Sequence, residues 1–342
     1  MKVAVGSQPY DGPWGGGNRF VASLCEGLQT AGHEVVHDLD HADIDIALMM
    51  DPRVRSPNVT FGAGALFRHI TFRSPHTIVV HRVNECDERK GEPFINAKLV
   101  RANYVADATT FVGSWLKELP VWRANLREPS FVVLNGADTA TFNTNAYRPW
   151  NGIEPLRLVT HHWGYHPNKG FDIYRQLDDM LGDPTWRNRI NFTYVGNLPR
   201  GFAFRNARYV EPLDGAPLAE EIGSHHVYVT GSINEPGGNH QNEGALCGLP
   251  LIYRNSGCMP EYCAGFGVEF QGLADFPAKL NELISRYGEL QERMATYPHT
   301  ASKMVENWVE LLASLDARRA ELLERRKQWR TMLRSLQLAA AL

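Results

Sequence analysis

With 342 residues, 43% of them hydrophobic, the chain exceeds the usual size of one domain and can bury a large core, so two domains are expected. A formal net charge of −3 leaves no electrostatic footprint for nucleic acid. The five cysteines, odd in number and without paired metal-ligand spacing, argue for reduced thiols rather than a disulfide or zinc framework.

The chain opens on a strand-like Lys2-Val3-Ala4-Val5-Gly6 instead of the charged and apolar regions of a signal peptide, and no apolar run reaches spanning length. A cytoplasmic protein is expected, with any membrane contact peripheral. Short β-branched runs then alternate with longer helical stretches, at 2–5, 34–37, 44–49, 77–81, 109–112 and 131–134. After the break Pro149-Trp150-Asn151-Gly152 the pattern restarts at 156–160, 191–195, 207–210, 226–230, 250–253 and 268–270. This is the signature of an α/β chain with two Rossmann-like domains, 1–150 and 151–300, followed by a C-terminal helical segment over 301–342. The final Leu338-Ala339-Ala340-Ala341-Leu342 reads as a vector-derived tail.

Open α/β sheets bind ligands beyond the carboxyl ends of their strands, so the strand-to-helix turns are where chemistry is expected. The first turn carries Gly15, Gly16 and Gly17 just before the helix that starts near Arg19. Three glycines let a backbone approach a ligand closely, and a helix N-terminus favours an anion such as a diphosphate. A flexible loop is the plainer reading, and no third glycine falls where a dinucleotide fingerprint needs one. The next turn is His81-Arg82-Val83-Asn84-Glu85-Cys86-Asp87, which sets His81 at the rim of the sheet, although a lone histidine is more often structural.

In the second half, the turn after 156–160 reads His161-His162-Trp163-Gly164-Tyr165-His166-Pro167-Asn168-Lys169-Gly170. Lys169 suits a phosphate, an ordinary solvated lysine before a glycine being the plainer reading, and the histidine spacing is neither a zinc finger nor a helical pair, so no metal is expected. After 226–230 come Glu235, the pair Gly237-Gly238, Asn239, His240 and Glu243. A carboxylate accepts hydrogen bonds from two neighbouring hydroxyls. With a helix starting near Asn239, free N–H groups from Gly238 to His240 can meet a diphosphate while one acid holds a sugar and the other a ribose. A solvated helix residue is the plainer reading of Glu243.

Taken in order, Gly15 to Gly17, Asn135-Gly136-Ala137-Asp138, Lys169-Gly170, Glu235 and Glu243, and Cys247-Gly248-Leu249-Pro250 make the chain resemble the family 4 retaining glycosyltransferases along nearly its whole length. The resemblance implies the GT-B fold, two Rossmann-like domains facing across a cleft, and transfer of a sugar from a UDP- or GDP-sugar to a hydroxyl of a glycan or lipid-linked acceptor, without cofactor or metal. It assigns the ribose to Glu243, the donor sugar to Glu235 and the diphosphate to Lys169. His81 would stand beside the transferred sugar, and Arg82, Asn84 and Asp87 would border the acceptor. Where the family commonly carries a second clamping arginine, this chain has Gly164. A nucleotide-sugar epimerase of the same fold and a non-catalytic binding protein are the alternatives.

The last expected element is a long helix over 302–336, with Trp308, Leu311, Leu312, Leu315 and Leu322 at helical spacing between Arg318, Arg319, Arg325, Arg326, Lys327 and Arg330. It reads either as a crossing back onto the first domain, usual in GT-B enzymes, or as a basic surface for anionic lipid or a partner helix, as in a homodimer.

Overall fold

The computed structural model describes residues 1–10, 16–54, 56–123, 125–126 and 128–327. The β-branched runs form two parallel six-stranded sheets. The first contains β1 (Lys2–Val5), β2 (Glu34–Val36), β3 (Ile46–Met49), β4 (Ile78–Val83), β5 (Ala108–Phe111) and β6 (Ser130–Val132), in the order β2-β1-β3-β4-β5-β6. The second contains β7 (Leu156–His162), β8 (Ile190–Gly196), β9 (Arg208–Val210), β10 (Val227–Thr230), β11 (Leu251–Arg254) and β12 (Gly267–Phe270), in the order β12-β11-β10-β7-β8-β9.

Every residue of β3, β4, β10 and β11 is buried. Helices cover both faces, which is why these strands read as continuous apolar runs instead of alternating ones. Strand order reverses between β1 and β3 in the first sheet and between β7 and β10 in the second. Val3 pairs with Ile46 across the first switch point and Tyr228 with Val159 across the second. The turns after β1, β7 and β10 therefore open into crevices, and they are the turns that carry Gly17, Lys169 and Glu235.

After the second sheet the chain returns to the first. Ala301 donates its N–H to the Ala137 carbonyl at 2.7 Å, and a Cβ on Gly136 would lie 2.1 Å from the Thr300 carbonyl oxygen, so only glycine fits this crossing. Thr300 caps the helix Ala301–Ala317 by accepting from the Lys303 N–H at 3.1 Å. Trp308, Leu311, Leu312 and Leu315 then pack among Phe20, Val21 and Leu24 of the helix Gly16–Thr30, with Trp308 edge-on to Phe20 at 5.9 Å.

The expected unbroken helix is interrupted. It ends at Ala317, turns at Arg318 and resumes over 319–327. The turn lets Arg319 bond Asp45 at 3.0 Å and Arg326 bond Asp107, residues that stand immediately before β3 and β5 on the side opposite the crevices. Arg318, Arg325 and Lys327 pair with Glu321 and Glu324, so each of these five basic residues has a carboxylate partner. Arg330, the rest of the expected helix to 336, the tail 338–342 and Gly15 lie outside the described residues. Among the described residues no helix is long and apolar enough to cross a membrane.

Candidate active site

The carboxyl ends of the two sheets enclose a cleft of about 810 Å³. Its first-sheet wall carries Gly17, Arg19, Arg82, Asn84, Arg89 and Asn135. The second-sheet wall carries the turn from His161 through Lys169, the loop from Glu235 to His240, and Glu243.

Both carboxylates, Glu235 in the loop and Glu243 in the helix that follows it, are buried and held by cations. Glu235 Oε2 accepts from Lys169 Nζ at 2.5 Å, and Arg89 Nη2 lies 3.9 Å from Oε1. Burial alone would raise the Glu235 carboxyl, but the charges of Lys169 and Arg89 and the hydrogen bond from Lys169 outweigh it and bring it down to about 2. Glu243 Oε2 accepts from His161 Nε2 at 2.6 Å, and Oε1 accepts from Arg19 Nη1 at 2.7 Å. Here too burial pushes the carboxyl up, and the His161 hydrogen bond, the neighbouring histidines and Arg19 bring it below its usual range. Because the Glu243 carboxylate can only accept, it keeps a proton on His161 Nε2, and His161 Nδ1 lies 3.0 Å from the Tyr228 hydroxyl.

Arg19 reaches across the cleft. It follows Gly17 in the first turn of the helix Gly16–Thr30 and pairs with Asp214 as well as Glu243 on the opposite wall. Behind the loop, the ring of His240 lies 4.7 Å from that of His162, with His240 Nε2 2.8 Å from the Thr230 hydroxyl and His162 Nε2 2.6 Å from the Tyr174 hydroxyl. Burial, helped by the charge of Lys169, lowers His240 to about 3, and burial lowers His162 well below its ordinary value. Both rings are neutral at pH 7.

The loop is set by close backbone approach. Gly257 sits at φ +59°, and a Cβ there would come within 2.5 Å of the Glu235 nitrogen and 2.6 Å of its oxygen. The Cys258 N–H also donates to the Glu235 carbonyl at 2.9 Å. Gly170, at φ +97°, leaves room for Gly231 at the end of β10, where a Cβ would come within 2.5 Å. From the first sheet, Asn135 accepts from Arg82 Nη2 at 2.9 Å and donates to the Gly237 carbonyl at 2.6 Å, tying the two walls together.

No protein-family model matches the chain, and no curated protein matches it in sequence. Solved structures do. Sucrose-phosphate synthase from Thermosynechococcus elongatus superposes with a TM-score of 0.62 at 15% identity, covering 93% of this chain and 99% of that one. HepE from Anabaena in complex with UDP gives 0.66 at 13% identity over 92% and 100% of the two chains. The catalytic domain of starch synthase IV from Arabidopsis thaliana, bound to ADP and acarbose, gives 0.66 at 12% identity over 93% and 99%. The chain has the GT-B fold.

The GT-B cleft gathers most of the residues expected in it. Gly17, Lys169, Glu235, Gly238, Asn239, His240 and Glu243 line it, as do Arg82 and Asn84. Gly16 begins the helix after β1, and no atom lies within 4 Å of a Cβ built on Gly17. The second-wall helix starts at His240, with Asn239 as its N-cap residue.

Two expected residues are elsewhere. His81 is not at the rim, because β4 runs on to Val83 and encloses it completely. Its Nδ1 lies 2.9 Å from Asn103 Oδ1, and burial lowers the ring to about 4. The alternation along β4 brings Arg82 to the cleft instead. Asp87 accepts from the N–H groups of Ile95 at 2.5 Å and Asn96 at 3.1 Å, so it holds the first turn of the helix Ile95–Asn103 and is not among the residues lining the cleft.

Arg19, Arg89, Asn135 and His161 are cleft residues without an expected role. Asn135 stands in the Asn135-Gly136-Ala137-Asp138 motif and His161 in the same turn as Lys169, which were the available signals. Arg19 and Arg89 had none beyond their charge. Among the described residues, no group of three or more His, Cys, Asp or Glu side chains is arranged to hold a metal ion.

Proposed function

We propose that this chain is a retaining glycosyltransferase that moves a sugar from a UDP- or GDP-sugar to an acceptor hydroxyl. The observation that carries the reading is the meeting of Glu235, Glu243 and Lys169 with Gly17 in one cleft between the two sheets. Solved neighbours of the same fold, HepE with UDP and the catalytic domain of starch synthase IV with ADP, hold nucleoside diphosphates, which supports the same ligand class here.

In this reading the second half is the donor domain. Glu243 accepts the ribose hydroxyls, Glu235 accepts from the donor sugar, and Lys169 faces the diphosphate, with the backbone of Gly16, Gly17, Gly238 and Asn239 close by. The first half is the acceptor domain, with Arg82 and Asn84 bordering the acceptor. The bond from the anomeric carbon to the diphosphate oxygen breaks as the acceptor oxygen bonds to that carbon on the same face, and the acceptor proton passes to the departing phosphate oxygen. Charge grows on the leaving diphosphate, so the cation of Lys169 acts most strongly in the transition state and no divalent ion is required.

A thermal-shift screen with UDP, GDP, ADP and their sugars identifies the donor by mass-action stabilisation. Proton NMR of the transfer product then reports its anomeric configuration. Retention of the donor's configuration is expected. Inversion, or interconversion of the donor sugar without an acceptor, would overturn the proposal.

A further inference from the structure

A diphosphate carries more than one negative charge, yet the turn after β7 offers it one cation, Lys169, which is itself shared with Glu235, and Gly164 has no side chain to add another. Arg82, Arg89, Lys90 and Arg200 also line the cleft, and among these cations Arg19 is the one that reaches Glu243 from the opposite wall. It rises from the first-sheet side, two residues after Gly17, and its side chain is 29% exposed. One nitrogen bonds Glu243 and the other Asp214, while the guanidinium carbon lies 5.3 Å from the ring centre of Phe142.

Glu243 thus has one oxygen bonded by His161, from deep in the second sheet, and the other bonded by Arg19, from the cleft side. A ribose diol approaching Glu243 from the cleft meets the Arg19 guanidinium in its place. Ribose and guanidinium compete for one carboxylate, and the long arginine side chain can swing without any movement of the sheets.

We propose that Arg19 is a displaceable diphosphate-binding residue: Glu243 and Asp214 hold it across the cleft, and a ribose engaging Glu243 releases it onto the donor diphosphate. The inference rests on the donor reading above and extends it by naming a second phosphate cation and its storage site. The same residue serves as a gate, since a nucleoside must break the Arg19–Glu243 pair without offering the released guanidinium a phosphate in return. Binding is thereby biased toward ligands that carry the diphosphate.

Calorimetric titration of the parent, Arg19→Ala, Arg19→Lys and Asp214→Asn with uridine and UDP, guanosine and GDP, and adenosine and ADP tests this. In Arg19→Ala the nucleoside is expected to bind equally or up to about tenfold more tightly, and the diphosphate about tenfold more weakly, because a charge-assisted contact is lost. Arg19→Lys retains part of the preference for diphosphate. Asp214→Asn, which loosens the storage site and keeps the cation, tightens both ligands. Equal weakening of nucleoside and diphosphate in Arg19→Ala, or no change in either, overturns the proposal while leaving the donor reading intact. A parent that binds none of the three diphosphates overturns the donor reading and this inference with it.

Discussion

Lys169→Met removes the cation that holds Glu235, and its cost can be worked from the geometry. Burial opposes ionisation of Glu235, yet Lys169 and Arg89 hold the carboxyl at about 2 against an ordinary 4.5. The folded state therefore favours the carboxylate by roughly 3 kcal/mol at pH 7, a contribution present above pH 4.5 and lost as the pH falls toward 2. Arg89 stays 3.9 Å from the carboxylate in the variant and compensates in part, so the expected loss is about 2 kcal/mol. Removing both charges in Lys169→Met/Glu235→Gln leaves no unpaired buried ion and recovers at least half of that loss, while turnover stays low in both variants. Urea unfolding at pH 7, followed by tryptophan fluorescence and compared at equal slope, measures the difference. A single variant as stable as the parent, or a double variant no more stable than the single one, would refute the reasoning.

Three further outcomes are expected. Gly257→Ala forces a Cβ at φ +59° against the Glu235 backbone, 2.5 Å from its nitrogen, so turnover should fall about tenfold or more through misplacement of Glu235 while the fold is retained; unchanged turnover would separate this glycine from the site. Burial holds His81 and His225 at about 4, and His240 at about 3 with the help of Lys169, so the folded chain refuses protons that the unfolded chain takes up. Stability is then full above pH 6.5 and falls below it, by roughly 2 kcal/mol per histidine at pH 5; a melting temperature at pH 5 equal to that at pH 7 would contradict this. Transfer activity should persist in EDTA, because Lys169 supplies charge to the leaving diphosphate; loss on chelation with recovery in magnesium or manganese would assign that work to a metal ion.

Much of the architecture was legible because buried parallel strands leave an unmistakable trace. Runs such as Ile46–Met49 and Val227–Thr230 have no polar face to display, so each stands out between helical stretches. The two carboxylates and Lys169 were legible because they stand in turns beyond such strands. His81 was misplaced by a boundary: β4 continues two residues past the expected end, and a period of two hands the cleft to Arg82. Arg19 could not be placed from local pattern, since its partners lie 195 and 224 residues away and only the facing of the two sheets brings them together. The turn at Arg318 carries no glycine or proline. It comes from docking, as Arg319 and Arg326 reach Asp45 and Asp107 on the first sheet.

The central claim is that the cleft recognises a nucleoside diphosphate through Glu243, and calorimetry of the parent beside Glu243→Ala tests it most directly. The parent is expected to bind one of UDP, GDP and ADP in preference to the others, and the variant to bind that ligand at least tenfold more weakly, because the ribose loses a carboxylate acceptor. Equal affinity in parent and variant, with both folded, would contradict the account.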